Sequence, residues 1–146
     1  MNNTDITIRC AEVRDYKQIA EICRTSLGYE CSPELVKKRL TGLDGRRERA
    51  FAAVFDDIVI GFVHAEKYET LYYDTLVNIL GIAVSNEHKK KGIGRRLMEA
   101  VEEWAKEIGA VGIRLNSGGS RSGAHEFYRR LGFDDEKMQV RFIKNI

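Results

Sequence analysis

One stretch constrains the fold more than any other: Thr75–Ile108, TLVNILGIAVSNEHKKKGIGRRLMEAVEEWAKEI. It opens with a mostly apolar run, Thr75 to Val84, of the kind found in a strand covered on both faces. From Gly92 onward, Leu97, Val101, Trp104 and Ile108 fall at i, i+4, i+7 and i+11, one buried stripe of a helix. A basic loop containing Gly92 and Gly94 joins the two. A strand that feeds a helix in this way starts a parallel crossover, so a sheet and helices must share one core.

The flanking sequence supplies the rest of that core. ITIRCA (Ile6 to Ala11) alternates as a strand does. A helix follows, with Asp15 as its expected cap and Gly28 at its end, then a second from Ser32 and Pro33 to Gly42. AFAAVFDDIVIGFVHAEKYE reads as a hairpin turning at Asp56-Asp57. VGIRL is a strand, SGAHEFYRRLG a helix closed by Gly132, and KMQVRFIK a final alternating strand. The order β-α-α-β-β-β-α-β-α-β(-β) predicts an α/β (α+β) fold with a mixed, mostly antiparallel sheet of 6–7 strands and about four helices. No repeat or Pro/Ser-rich linker divides residues 1–146, which read as one domain.

Charge decides less than the loop suggests. Lys and Arg total 24 against 22 Asp and Glu, a formal +2, so nothing in the whole chain calls for nucleic acid. No apolar run reaches the ~18–20 residues of a membrane span, and the N-terminus lacks a secretion signal. Cys10, Cys23 and Cys31 are odd in number and lack CxxC spacing, which predicts reduced thiols and a cytoplasmic location. His64, His88 and His125 are scattered, so no metal site is expected.

A helix N-terminus carries unpaired N–H groups and partial positive charge, and glycine lets an anion approach its backbone. Lys89, Lys91, Arg95 and Arg96 would add charge at its mouth. G-x-G-x-x-G fails here because Leu97 stands where the third glycine belongs, and no Walker motif occurs. Taken alone, the loop fits a phosphate site or a solvated basic helix start equally well.

Val84-x-x-x-x-Lys89-x-x-Gly92-x-Gly94 before an amphipathic helix resembles the acyl-CoA signature Q/R-x-x-G-x-G/A of the GCN5-related N-acetyltransferase (GNAT) superfamily. AHEFYRRLGF, Ala124 to Phe133, resembles its second hallmark, A-x-x-F-Y-x-x-x-G-F, and the order of elements agrees along the chain. SRSGAHEFYRRLGF is also weakly similar to the aminoalkylphosphonate acetyltransferase branch. The resemblance implies acetyl-CoA as co-substrate and direct transfer to a primary amine, with a small-molecule acceptor expected. Peptide N-acetylation and a non-catalytic acyl-CoA-binding regulatory domain are the alternatives.

The resemblance also implies a cofactor site. Lys89, Lys90, Lys91, Gly92, Ile93, Gly94 and Arg95 would hold the pyrophosphate. Ile82, Ala83 and Val84 would splay from the neighbouring strand and pair with pantetheine, with Gly81 helping a bulge. Tyr128 would be the general acid, and Arg121 would reach the cofactor's phosphates. The signature's Q/R is Lys89 here, which keeps the charge but loses the planar fork. Several relatives carry a glutamate base where this chain has Asn78, which cannot accept a proton at neutral pH, so the base stays unassigned among Glu66, Asp74, His88 and a water chain. The acceptor is expected near Tyr29, Glu30, Tyr72 and Asn78. A homodimer is common for such a fold; nothing in the sequence fixes its interface, which KMQVRFIK could pair across.

Overall fold

The computed structural model describes residues 5–146, in two compact units that divide after Leu115. The first unit is built on a five-stranded sheet in the order β1-β2-β3-β4-β5. Its strands are β1 (Thr7–Cys10), β2 (Glu48–Phe55), β3 (Ile58–Thr70), β4 (Tyr73–Val84) and β5 (Ile113–Leu115). Neighbours are antiparallel except β4 and β5, which are parallel and joined by the crossover helix α3 (Ile93–Glu107). Helices α1 (Tyr16–Ile22) and α2 (Pro33–Thr41) lie between β1 and β2 in sequence. The second unit, Asn116–Ile146, holds α4 (Ser122–Arg130).

The strand pairing sorts the side chains onto two faces. Ala52 opposes Phe62, which opposes Ala83; these three pack with Ile19 and Ile22 of α1 and with Val36 and Leu40 of α2. On the other face Ala53 opposes Gly61. A Cβ built on Gly61 would stand 3.4 Å from both Ile93 Cγ2 and Leu97 Cδ1, so this is the face α3 covers. Leu97, Val101 and Trp104 are buried there, as their spacing predicts, and Arg49 lies over the Trp104 ring at 5.5 Å.

Local signals hold where both partners are close in sequence. Ser32 Oγ accepts the Leu35 N–H at the start of α2, Gly28 is left-handed at φ 75°, and Asp56 and Asp57 both take positive φ, as a two-residue hairpin turn requires. Asp15 is a correction. It does not cap α1; its carboxylate turns back to the Glu12 N–H and to a two-pronged bond with Arg9 on β1.

The strand count is the second correction: five strands stand where 6–7 were expected. Residues 131–146 form neither helix nor strand, so KMQVRFIK is not a strand within this chain. Alternation marks a segment able to be a strand, but the strand itself exists only where another strand pairs its backbone.

Candidate active site

At the start of α3, Lys90 (φ 62°) and Gly92 (φ 77°) are both left-handed, with Lys91 between them outside that region. Holding a lysine in that region costs about 1–2 kcal/mol. Gly92 is the N-cap, and no side chain caps the helix or places an acid in its first turn. The first bond of the helix is Arg96 N–H to the Gly92 carbonyl at 3.2 Å. The donors before it need an acceptor from outside the helix, and the residues that surround them are basic. An anionic cofactor group fits this chemistry. Lys89, Lys90, Lys91 and Arg95 are exposed around it, whereas the Ile93 side chain is buried, leaving that residue only its backbone to offer. Arg96 departs from expectation: its Nη1 donates to the Ile6 carbonyl at 2.6 Å and so serves the β1 end of the sheet.

β4 leads into this loop. β5 pairs with it only at Val77, Asn78 and Ile79, whereas β3 continues along it to Val84. Ile82, Ala83 and Val84 therefore have a strand on one side only, as the splayed arrangement requires. Val84's carbonyl accepts the Ser26 hydroxyl at 3.0 Å, which ties the end of β4 to the turn after α1. A bulge is present: Ala65 opposes Ile79 while His64 opposes Gly81, leaving Leu80 as the extra residue. A Cβ on Gly81 would meet only Phe62 Cε2, at 3.9 Å, so the bulge does not depend on that glycine.

The register draws a row of polar residues across four strands. Glu48 of β2 opposes Glu66 of β3, which opposes Asn78 of β4, which opposes Arg114 of β5. Asn78 Nδ2 donates to Glu66 Oε2 at 2.8 Å, and Arg114 Nη1 donates to Asn78 Oδ1 at 2.6 Å. The Arg114 guanidinium lies 4.6 Å from the centre of the Tyr68 ring. His64 Nε2 and Glu48 Oε1 are 2.8 Å apart. Glu48 and His64 also border an open cavity of about 620 Å³, whose other wall is Glu34, Lys37, Lys38 and Arg39 of α2. Sequence reasoning missed Glu48, His64 and Arg114. The usable signal was parity: Glu48 shares its strand side with Ala50 and Ala52, and His64 and Glu66 share theirs with Phe62. Tyr29 and Tyr72 are 67% and 85% exposed, Tyr72 at the tip of the β3–β4 hairpin, and neither they nor Glu30 line this cavity.

In the second unit, Tyr128 stands near the end of α4, edge-on to Phe127 and Phe133 at 5.3 and 5.8 Å. Burial pushes its hydroxyl above the ordinary tyrosine value, and the charge of Arg121 only partly opposes this. Tyr128 therefore carries its proton at neutral pH. Arg121 is the exposed N-cap of α4. Cys23 is pushed up to about 12, by burial first and then by the Cys31 thiol, so it is no thiolate nucleophile. Among the described residues no group of three or more His, Cys, Asp and Glu is placed to hold a metal, and no helix is long and apolar enough to cross a membrane.

The acetyltransferase (GNAT) family model matches residues 14–133. The chain belongs to this family. GNAT enzymes are N-acetyltransferases that take their acetyl group from acetyl-CoA, and the uncapped start of α3 fits that cofactor's phosphates. The chain is similar to streptothricin acetyltransferase of Escherichia coli, 25% identical over 122 residues, which are 80% of this chain and 68% of that one. It is also similar to an aminoglycoside N(6')-acetyltransferase type 1 of Acinetobacter genomosp. 13, 30% identical over 66 residues, 45% of each chain. Among solved structures, an aminoglycoside acetyltransferase from an uncultured soil metagenomic sample, in complex with trehalose, superposes with a TM-score of 0.82 at 19% identity, covering 99% of this chain and 98% of that one. AAC(6')-Iy in complex with a bisubstrate analog gives 0.81 at 17% identity, covering 97% and 99%. These two share the GNAT fold with the chain.

Proposed function

We propose that this GNAT enzyme acetylates the primary amine of a small cationic molecule, by direct transfer in a ternary complex. The single observation behind this reading is the Glu66–Asn78–Arg114 row. Asn78 is neutral, but its amide is fixed at both ends: Arg114 takes the oxygen, so the nitrogen must face Glu66. The carboxylate absent from β4 is supplied one strand away, and the partner that Asn78 gives it is a neutral amide. The partner Asn78 offers Glu66 carries no opposing charge, which suits this carboxylate to meeting an ammonium group. Leu80 is looped out, so about three pleats, roughly 10 Å of strand, separate Asn78 from Ile82.

Acetyl-CoA supplies the activated acetyl thioester when bound. Lys89–Arg95, mainly through backbone N–H groups at the start of α3, hold its phosphates, and Arg121 adds charge. Ile82–Val84 offer backbone partners to its pantetheine arm. Glu66 binds the acceptor's ammonium and takes a proton from its nitrogen, because only the neutral amine attacks. Tyr128 gives its proton to the departing thiolate. No enzyme nucleophile is required. The similarity to streptothricin and aminoglycoside acetyltransferases supports a small polycationic acceptor.

Thiol release from acetyl-CoA, measured with sisomicin, ethanolamine and lysine amide as acceptors, tests this reading. At least one amine should drive release by the parent enzyme. Glu66→Gln keeps a bond to Asn78 but removes the charge. It should lower kcat/KM for that amine about fifty-fold or more while the KM for acetyl-CoA stays unchanged. Glu66→Asp should recover part of the loss. Full activity in Glu66→Gln would remove Glu66 from the acceptor site.

A further inference from the structure

Acetyl transfer to an ammonium group takes two protons from nitrogen and returns one to sulfur. Glu66 receives the first, when the ammonium becomes the neutral amine. The second leaves as the N–C bond forms and nitrogen turns positive again. Tyr128 enters the reaction protonated and cannot take it. A second base is needed, and it must stand near the thioester. With the phosphates at the loop after Val84, the thioester end of the pantetheine arm lies beside Ile82.

The strand register brings a base to that level. Val63 of β3 opposes Ile82 and His64 opposes Gly81, so His64 is one residue from Ile82's level. Glu66 opposes Asn78, on the far side of the Leu80 bulge. His64 and Glu66 share one side of β3, about 7 Å apart. Cross-strand partners also share a side, so a side chain on Gly81 would stand beside His64. Its Cβ would meet only Phe62 Cε2, at 3.9 Å, and glycine leaves that space empty. His64 borders the open cavity of about 620 Å³.

The His64 ring is also oriented. Nε2 lies 2.8 Å from Glu48 Oε1, and both side chains are 31% exposed. A carboxylate only accepts, so Nε2 carries the proton of this bond and Nδ1 is left as the basic nitrogen. No hydrogen bond among the described residues occupies Nδ1.

We infer that His64, held by Glu48, is the base that takes the second proton. The inference rests on the acetyltransferase function proposed for this site. Nitrogen's lone pair forms the bond to the thioester carbonyl carbon, and the C–S bond breaks with its pair on sulfur. Tyr128's proton goes to sulfur, and nitrogen's second proton goes to His64 Nδ1. Glu48 then faces an imidazolium, whose charge it stabilises. Of the two protons held by Glu66 and His64, one restores Tyr128 and the other leaves to water through the open cavity.

Thiol release with sisomicin, ethanolamine and lysine amide, beside acetyl-CoA titration and circular dichroism, tests this. His64→Gln keeps a donor for Glu48 but cannot take a proton. It should lower kcat about a hundredfold, with acetyl-CoA affinity and the fold unchanged. His64→Ala should lose as much and regain at least about tenfold with added imidazole, because the cavity admits a small base. Glu66→Gln should gain nothing from imidazole. Glu48 is a positioning residue: Glu48→Gln should lower kcat about tenfold, and nitrogen-15 spectra should show the His64 proton fixed on Nε2 in the parent and shared between both nitrogens in the variant. Full kcat in His64→Gln would overturn the inference and leave the acetyltransferase reading standing. So would a loss in His64→Ala that imidazole does not relieve. A parent that binds acetyl-CoA but acetylates none of the three amines would overturn this inference together with the proposed function.

Discussion

Tyr128 owes its proposed role to burial. A tyrosine held above its ordinary value is a full proton reservoir at neutral pH, and it loses that proton only in the alkaline range. Tyr128→Phe keeps the ring contacts with Phe127 and Phe133 and removes only the hydroxyl. It should lower kcat at least about tenfold and leave acetyl-CoA affinity intact, as steady-state kinetics and calorimetry can separate. Asp15 makes the complementary case. Burial acts to raise its carboxyl, but the Arg9 fork and the Glu12 N–H outweigh it and hold the value below the usual carboxylate range. A lowered folded value stabilises the fold above the unfolded carboxyl value of about 3.9, and that stability is lost as pH falls through the folded value. Arg9→Gln should therefore cost about 2–3 kcal/mol in urea unfolding at neutral pH, with the gap narrowing in acid. Ser32, Gly28 and the Asp56-Asp57 turn were legible in the sequence because each acts on its near neighbours. Asp15 was misread because its partner lies on the preceding strand, and Arg96 because its acceptor, Ile6, is ninety positions away.

At the scale of elements, the start of α3 joins fold and site. Gly61 lets that helix sit low on β3: a Cβ there would stand 3.1 Å from the Ala83 carbonyl and 3.4 Å from Ile93 and Leu97. Gly61→Val should cost about 1–3 kcal/mol by thermal unfolding, and should weaken acetyl-CoA binding because Ile93 fixes the first turn of the cradle. Gly61→Ala should do the same more mildly. The β4–loop–α3 unit was readable because period, glycine and charge all changed at one junction. The Glu48–Glu66–Asn78–Arg114 row was not, since it depends on the pairing of four strands and on a bulge at Leu80 that changes which β4 side chains share a face. The tyrosines chosen to wall the acceptor site were picked by residue type near a hairpin, and Tyr29 and Tyr72 face solvent.

At the scale of the molecule, the sequence conveys a sheet with α1 and α2 on one face and α3 on the other, because the long apolar periodicities of β3, β4 and α3 dominate it. It overcounts the strands at the C-terminal end, where alternation is real but no strand among the described residues pairs the segment's backbone. The pairing of β4 with β5 ends short of a helix start that no side chain caps, and this is where the acetyl-CoA site is proposed. Isothermal titration with acetyl-CoA, on the parent and on Gly92→Glu, tests that claim most directly. The parent should bind with micromolar affinity, and the variant, which sets a carboxylate against the phosphates at a left-handed position, should bind at least about thirty-fold more weakly. No binding by the folded parent, or equal binding by the variant, would contradict the assignment of this helix start as the cofactor cradle.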